Sequence, residues 1–173
     1  MISERMGSLI REIPDFPRKG VIFKDITPIL KDVSLCKEMS EAMVKYFKDI
    51  KIDGVACLES RGFWFGMLIS QMLNVPFIPM RKKGKLPGTV VTCNYNLEYG
   101  TACLEMHADA IHEGDNILIH DDVLATGGTA SAASQLIEGV GAKVAGFAFL
   151  LELSALEGRK KIDSSRILSL LTY

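Results

Sequence analysis

The segment from Asp121 to Thr129 contains the residue types that a phosphorylated sugar requires. Two adjacent carboxylates can accept hydrogen bonds from sugar hydroxyls or hold a hydrated divalent cation. The two glycines that follow let the backbone approach a ligand closely, and a loop that opens a helix presents free N–H groups to a phosphate. We therefore predict that the sugar and phosphate of such a ligand are bound by Asp121, Asp122, Ala125, Thr126, Gly127, Gly128 and Thr129.

Two other phosphate-binding patterns are absent from the chain. There is no GxxxxGK[ST] sequence, which would indicate a nucleoside triphosphate, and no GxGxxG sequence, which would indicate a dinucleotide. Two acids followed by a loop without lysine suit a phosphorylated sugar better than a triphosphate. The alternative is an ordinary junction between a strand and a helix, with the acids simply solvated.

Apolar runs on either side of this segment predict the elements that position it. Residues 116–120 form a buried strand that places both acids at its carboxyl end, and 129–140 form a helix. A second strand at 54–58 ends at 59–62 and leads into a helix at 63–73. Further strands are predicted at 76–80, 144–151 and 167–171, and an amphipathic helix at 34–50. Strands that alternate with helices indicate an α/β fold with a mostly parallel sheet, in which ligands bind beyond the carboxyl ends of the strands.

Three stretches do not follow that alternation. Residues 13–27, which contain Pro14, Pro17 and Gly20, are predicted to be irregular. Residues 81–88 form a basic stretch, and residues 90–106 predict a β-hairpin around 98–100.

The bulk composition indicates one globular domain over residues 1–173, with 48% hydrophobic and 24% charged residues. A net charge of −1 gives no global attraction to nucleic acid or to a membrane, so neither is expected as a partner. Four cysteines without a CxxC pair argue against a zinc site and favour a reducing compartment. We see neither a signal peptide nor a membrane-spanning run, and we expect a cytoplasmic protein.

Residues 117–129 resemble the 5-phosphoribosyl-1-pyrophosphate signature of the type I phosphoribosyltransferase family. Residues 13–17 and 20–28 are similar to the N-terminal segment of the family members that act on adenine, as are 59–63, 97–100 and 170–173. The resemblance covers nearly the whole chain in order. It implies the type I phosphoribosyltransferase fold: a mostly parallel twisted sheet flanked by helices, a small N-terminal hood over about residues 1–30, and a flexible β-hairpin loop.

The resemblance also implies a reaction in purine salvage. The 5-phosphoribosyl group moves from 5-phosphoribosyl 1-pyrophosphate to adenine, giving AMP and pyrophosphate. It assigns the pyrophosphate to the cationic and loop residues Ser60, Arg61, Arg81, Lys82 and Lys85, with a non-proline cis peptide in the region of 60–61. Arg81 is expected to reach into a neighbouring subunit of a homodimer. Mg²⁺ is expected as cofactor, held mainly by substrate and waters rather than by a dedicated protein site.

The family pattern assigns two further functions to residues of this chain. Glu98 is the candidate general acid/base that handles the ring proton of adenine, and Arg61 is counted with it as catalytic. Ile22, Phe23 and Lys24 are expected to form the adenine pocket, with Phe23 stacking on the purine. The family often has arginine where this chain has Lys24, so only a backbone function carries over securely. His120 and the cluster 63–65 are interpreted as packed or interface residues.

Three other functions compete with this interpretation. A transferase for hypoxanthine, guanine or xanthine would keep the phosphate motif and change the base pocket. A non-catalytic regulator would bind phosphoribosyl pyrophosphate without needing Arg61 and Glu98. A phospho-receiver domain also has paired acids, but there they come early in the chain and do not lead into a phosphate-binding loop.

Overall fold

The computed structural model describes residues 1–96, 101–162 and 166–173. The described residues form four helices, namely α1 (Ile2–Leu9), α2 (Val33–Tyr46), α3 (Gly62–Leu73) and α4 (Gly128–Gly139), and short 3₁₀ helices over Thr27–Lys31, Ser154–Leu156 and Gly158–Lys161. The strands are β1 (Arg11–Pro14), β2 (Ile22–Asp25), β3 (Gly54–Leu58), β4 (Phe77–Lys82), β5 (Val90–Asn96), β6 (Thr101–His107), β7 (Asn116–Leu124), β8 (Lys143–Glu152) and β9 (Ile167–Thr172).

Seven strands form the central sheet in the order β5-β6-β4-β3-β7-β8-β9. The neighbours from β4 through β9 are parallel, whereas β6 runs antiparallel to β4 and to β5. The predicted α/β class with a mostly parallel sheet is therefore confirmed, and so is the hairpin formed by β5 and β6. The loop that joins these two strands, 97–100, lies outside the described residues.

The sheet is covered on both faces, which explains why its strands are apolar without alternation. Side chains alternate along β3: Ala56 and Leu58 pack with the buried residues of α4, while Val55 and Cys57 pack with those of α1, α2 and α3. The side chain of Cys57 is fully buried in this packing.

The structure corrects two predicted boundaries. Strand β7 continues through Asp121 and Asp122 to Leu124, so the two acids lie within its last four residues rather than after its end. The segment 13–27 is not irregular throughout, since β1 and β2 pair as a two-stranded antiparallel ribbon with Ile13 opposite Phe23. Helix α1 was not predicted, although its Met6 is fully buried in the core. The division into a hood and a body remains a prediction.

The connections of β3 and β7 leave these neighbouring strands in opposite directions. From β3 the chain passes through α3 to β4 on one side, and from β7 it passes through α4 to β8 on the other. The two loops beyond their carboxyl ends therefore diverge and leave a crevice, which is the usual ligand position in open α/β sheets.

Candidate active site

A cavity of about 880 Å³ occupies the crevice beyond β3 and β7. The structure brings ten predicted site residues to its lining: Ile22, Phe23, Lys24, Ser60, Arg61, Lys82, Asp121, Asp122, Ala125 and Thr129. A smaller cavity of about 70 Å³ adjoins it and is lined by the whole loop from Ala125 to Thr129. Residues far apart in the chain thus meet in one place.

The loop 125–129 has the conformation that a phosphate cradle needs. Gly127 caps α4 with a φ of 76°, in the left-handed region that glycine adopts without strain. The N–H of Ser131 donates to the carbonyl of Gly127 at 2.9 Å. The N–H groups that precede it at the start of α4 have no intrahelical acceptor, so they can donate to an anion.

Gly62 allows the loop after β3 to lie directly against the end of β7. A Cβ atom at Gly62 would lie 3.0 Å from Oδ1 of Asp121 and 3.1 Å from its Cα. This approach places Arg61 Nε 2.8 Å from Asp122 Oδ2. The contact is an ion pair rather than an aligned hydrogen bond, since Asp122 Oδ2 is a buried atom without a hydrogen-bond partner. Arg61 therefore lines the cavity beside the acid pair.

The acid pair holds protons more readily than ordinary carboxyl groups do. Burial and the adjacent Asp122 carboxylate raise the pKa of Asp121 well above its usual range, and the nearby Arg61 only partly opposes this. Burial likewise raises the pKa of Asp122, again against the effect of Arg61. A cationic ligand or sugar hydroxyls at this point would stabilise the charged forms. Among residues 1–96, 101–162 and 166–173, no three His, Cys, Asp or Glu side chains lie close enough together to form a metal site.

The ribbon β1–β2 closes one side of the cavity with Phe23. Arg61 Cζ lies 4.8 Å from the centre of the Phe23 ring, and Phe16 packs edge-on against that ring at 5.1 Å. The Lys24 ammonium group pairs with Glu12 and lies 3.9 Å from the centre of the Tyr173 ring. The side chain of Lys24 therefore has two partners within the protein, whereas the face of the Phe23 ring contacts the Arg61 guanidinium.

The basic stretch after β4 divides into residues inside and outside the cavity. Lys82 lines it, but Arg81 and Lys85 are not among the lining residues. Arg81 donates to Glu59 Oε2 at 2.7 Å and to the carbonyl of Lys85 at 3.0 Å. The expected non-proline cis peptide is present at the bond between Glu59 and Ser60, one bond before the region named from the sequence.

Sequence reasoning missed seven residues of the cavity lining: Phe16, Val21, Glu59, Tyr95, Leu104, Val123 and Leu153. Tyr95, on β5, lies within reach of the phosphate loop, because the hydroxyl of Thr129 donates to its hydroxyl at 3.5 Å. The position of Glu59 directly after β3 was a usable signal. Tyr95 offered none, since its place depends on how the hairpin folds over α4.

His120 is packed beneath the acid pair, as predicted. Its ring is fully buried, and its Nδ1 lies 2.9 Å from the carbonyl of Ala148 on β8, which fixes the proton on Nδ1. Burial lowers the pKa of His120 to about 4, so the ring is neutral near pH 7. The predicted acid/base residue Glu98 lies outside the described residues.

A crevice at the switch point, an acid pair and a glycine loop at a helix N-terminus together define a binding protein for phosphorylated sugars. The family model for the phosphoribosyl transferase domain matches residues 24–171, and the chain belongs to this family. Its relatives within the family include curated adenine phosphoribosyltransferases that are 46–50% identical. The one from Flavobacterium johnsoniae is 50% identical, over 98% of this chain and 99% of its own length.

Solved structures give the same result. Adenine phosphoribosyltransferase from Thermoanaerobacter pseudethanolicus has a TM-score of 0.96 at 47% identity, with both chains fully covered. The Saccharomyces cerevisiae enzyme, solved with adenine and an imino-altritol bisphosphate, has a TM-score of 0.92 at 37% identity, over 98% of each chain. The predicted phosphoribosyltransferase fold and the enzyme class are therefore confirmed: the chain is a pentosyl-transferring enzyme by family. None of the helices in the described part of the chain has the length and apolar character needed to cross a bilayer.

Proposed function

We propose that this chain transfers the 5-phosphoribosyl group of 5-phosphoribosyl 1-pyrophosphate to adenine, giving AMP and pyrophosphate in purine salvage. The observation that carries the proposal is the convergence, in two adjoining cavities, of an acid pair, a helix-opening glycine loop, an arginine, a lysine and an aromatic face. Each group suits a different part of the two substrates, so the cavity accounts for sugar, leaving group and base together.

The ribose 5-phosphate is assigned to the end of β7 and the start of α4. Its phosphate accepts hydrogen bonds from the N–H groups of the loop 125–129 and from the hydroxyls of Thr126 and Thr129. Its 2- and 3-hydroxyls donate to Asp121 and Asp122. These contacts fix the anomeric carbon near Arg61, and positioning of this kind contributes a large share of a transfer rate.

The pyrophosphate is assigned to the cationic side of the cavity. Negative charge grows on the leaving pyrophosphate as its bond to the anomeric carbon breaks, and cations that meet that charge lower the barrier. Arg61 and Lys82 line the cavity and can do this directly. Ser60 adds a hydroxyl. Arg81 and Lys85 act from outside the lining, where Arg81 orients Glu59.

The purine is assigned to the face of Phe23. The ring stacks there, while backbone groups of Ile22 and Lys24 face the base edge and can distinguish an exocyclic amine from a carbonyl oxygen. Arg61 must leave the Phe23 face for the base to occupy it, and the pyrophosphate gives the guanidinium an alternative partner. Glu98 is assigned the ring proton that adenine must lose or relocate as the new bond forms.

Mg²⁺ is the proposed cofactor, and the residues present fit it in one way. Three carboxylates line the cavity, those of Glu59, Asp121 and Asp122, but no group of three His, Cys, Asp or Glu side chains among the described residues could hold a metal ion. The cation would therefore take most of its oxygens from the substrate and from water, with Asp121 and Asp122 orienting those waters. When bound, the cation supplies positive charge for the leaving pyrophosphate.

We also propose a cytoplasmic homodimer. Its support is the outer side of α3, where Trp64, Met67 and Met72 remain 37%, 45% and 41% exposed, an apolar surface that a second copy would cover. The free thiols of the four cysteines suit a reducing compartment. Analytical ultracentrifugation tests the assembly: a species of twice the 19.0 kDa chain mass supports it, and a monomer at micromolar concentration contradicts it.

The test of the function is a product assay. The purified protein is mixed with phosphoribosyl pyrophosphate, Mg²⁺ and adenine, hypoxanthine, guanine or xanthine in separate reactions, and the nucleotides are separated. AMP from adenine alone, at a rate far above the other three reactions, supports the proposal. Formation of IMP, GMP or XMP without AMP would show that the acceptor is another purine. If no base gives a nucleotide, the proposed enzymatic function is wrong.

A further inference from the structure

A close backbone contact behind the phosphate loop has no function in the mechanism above. A Cβ atom added to Gly158 would lie 2.2 Å from the carbonyl oxygen of Ala125, and one added to Gly127 would lie 2.4 Å from the carbonyl oxygen of Gly158. Gly158 lines neither of the two cavities. The 3₁₀ turn Gly158–Lys161 therefore touches the loop backbone to backbone, on the side away from the ligand.

An ion pair between the half-exposed Arg159 and the buried Glu152 holds this turn in place. Arg159 donates from Nε and from a terminal nitrogen to the two carboxylate oxygens of Glu152, both at 2.7 Å. The hydroxyl of Ser169 on β9 donates to the same carboxylate at 2.7 Å. Glu152 ends β8 and is 7% exposed, and the Arg159 guanidinium lowers its pKa, so the carboxylate stays charged at neutral pH. A two-pronged contact of this geometry allows little freedom.

We infer that Glu152, Arg159 and Ser169 are positioning residues for the 5-phosphate site. They anchor Gly158 to the end of β8 and to β9, and Gly158 in turn fixes the backbone of 125–127. The N–H groups at the start of α4 then have a set direction before the ligand arrives, which is the condition for strong binding of an anion. The inference rests on the proposed function, because it takes the loop to be the phosphate site.

The turn could instead serve stability alone, and the two possibilities differ in what they do to the substrates. General loss of stability affects both substrates alike. Displacement of the phosphate loop weakens binding of the phosphoribosyl substrate and spares binding of the base, because the proposed adenine residues Ile22, Phe23 and Lys24 lie on β2 and not on the loop 125–129. The ratio between the two KM values is therefore the deciding quantity.

The experiment compares two variants with two matched controls. Arg159→Ala removes the anchor, and Gly158→Ala forces the turn away from the loop. Arg5→Ala is the control for the first, since Arg5 on α1 also pairs with a carboxylate, donating from Nη1 to both oxygens of Glu38 at 2.7 and 2.8 Å. Gly139→Ala controls the second, because a Cβ there meets nothing within 4 Å.

We expect Arg159→Ala and Gly158→Ala to raise the KM for phosphoribosyl pyrophosphate about 10- to 100-fold while the KM for adenine stays within about twofold. Both controls should leave both KM values unchanged. Arg159→Lys should recover only part of the loss, because a lysine keeps the charge without the planar fork. Thermal unfolding and circular dichroism establish which variants are folded, and Arg159→Ala decides the matter if Gly158→Ala does not fold.

Two results would overturn the inference. One is an unchanged KM for phosphoribosyl pyrophosphate in folded Arg159→Ala. The other is an equal rise in both KM values that follows the loss of thermal stability. If the wild-type protein makes no AMP, the proposed function has failed, and calorimetric titration with ribose 5-phosphate then tests the inference separately: it stands if the wild type binds and Arg159→Ala binds at least tenfold more weakly, and falls otherwise.

Discussion

His120 gives the protein a pH dependence whose size follows from its burial. The ring is fully buried, donates from Nδ1 to Ala148 at 2.9 Å, and has no hydrogen-bond partner at Nε2. Protonation would place a charge in a site that offers it no acceptor. The pKa of His120 is accordingly about 4 in the folded protein, against 6.5 for the unperturbed side chain.

The sign follows from this depressed pKa. Above pH 6.5 the ring is neutral in the folded and the unfolded chain, so it costs nothing. Between pH 6.5 and 4 the histidine is protonated in the unfolded chain but not in the folded protein, so the free energy of unfolding falls as the pH falls. A difference of about 2.5 pKa units, at 1.36 kcal/mol each, corresponds to a loss of about 3 kcal/mol over this range.

The replacement His120→Asn keeps a side-chain N–H for Ala148 and removes the titration. Urea unfolding followed by circular dichroism gives the free energy of unfolding of both proteins from pH 7.5 to 4.5. The wild type should lose about 2 kcal/mol more than the variant between pH 6.5 and 4.5. His112, whose side chain is 86% exposed, supplies the control His112→Asn, which should follow the wild type. Parallel curves for the wild type and His120→Asn would refute the reasoning.

Two further predictions concern the acids of the proposed site. Asp121→Asn removes a carboxyl group whose pKa is raised by burial. A raised pKa in the folded state lowers the free energy of unfolding at high pH and not at low pH. The variant should therefore unfold at a higher temperature than the wild type at pH 8, and this difference should shrink as the pH falls. Its kcat/KM should nevertheless drop about 10- to 100-fold from the loss of charged hydrogen bonds to ribose, and an unchanged kcat/KM would remove Asp121 from the site. Glu98→Gln should lower kcat about 10²- to 10⁴-fold with an unchanged Kd for phosphoribosyl pyrophosphate; wild-type turnover would exclude its acid/base function.

The parts of the fold that the sequence predicted correctly are those governed by local pattern. Both ends of strand β3 were predicted correctly. Its five buried residues form one continuous apolar run, and the charged residues Asp53 and Glu59 mark where it begins and ends. Helix α3 and helix α4 were each predicted to within one residue at either end. Their glycines, Gly62 and Gly128, stand at the first turn, where a loop becomes a helix.

The errors have a common physical origin in tertiary contacts. Strand β7 was ended at His120 because two carboxylates follow, yet pairing with β8 continues to Leu124 opposite Glu152. Pairing with β3 ends at His120, so the hydrogen bonds that override the polar sequence beyond it come from β8. The ribbon at 11–25 was missed because Pro14 and Pro17 suggested irregular chain, whereas its strands end or turn at those prolines.

The residues that line the cavity were identified from the sequence where they follow a strand and missed where they depend on long-range packing. Arg61, Asp121 and the loop 125–129 come directly after or within strands of the sheet, so the topology of α/β folds brings them together. Tyr95 reaches the cavity only because β5 packs over α4. The close contact between Gly127 and Gly158 joins segments about thirty residues apart, and no local sequence pattern predicts it.

The central claim is that adenine is the acceptor of a phosphoribosyl group bound at 121–129. Its most direct test is the amount of AMP formed when the purified protein, phosphoribosyl pyrophosphate and Mg²⁺ are incubated with equal concentrations of adenine, hypoxanthine, guanine and xanthine in competition. The account predicts AMP as the dominant nucleotide, with one pyrophosphate released for each AMP. Pyrophosphate release without nucleotide, or a dominant nucleotide other than AMP, would contradict it.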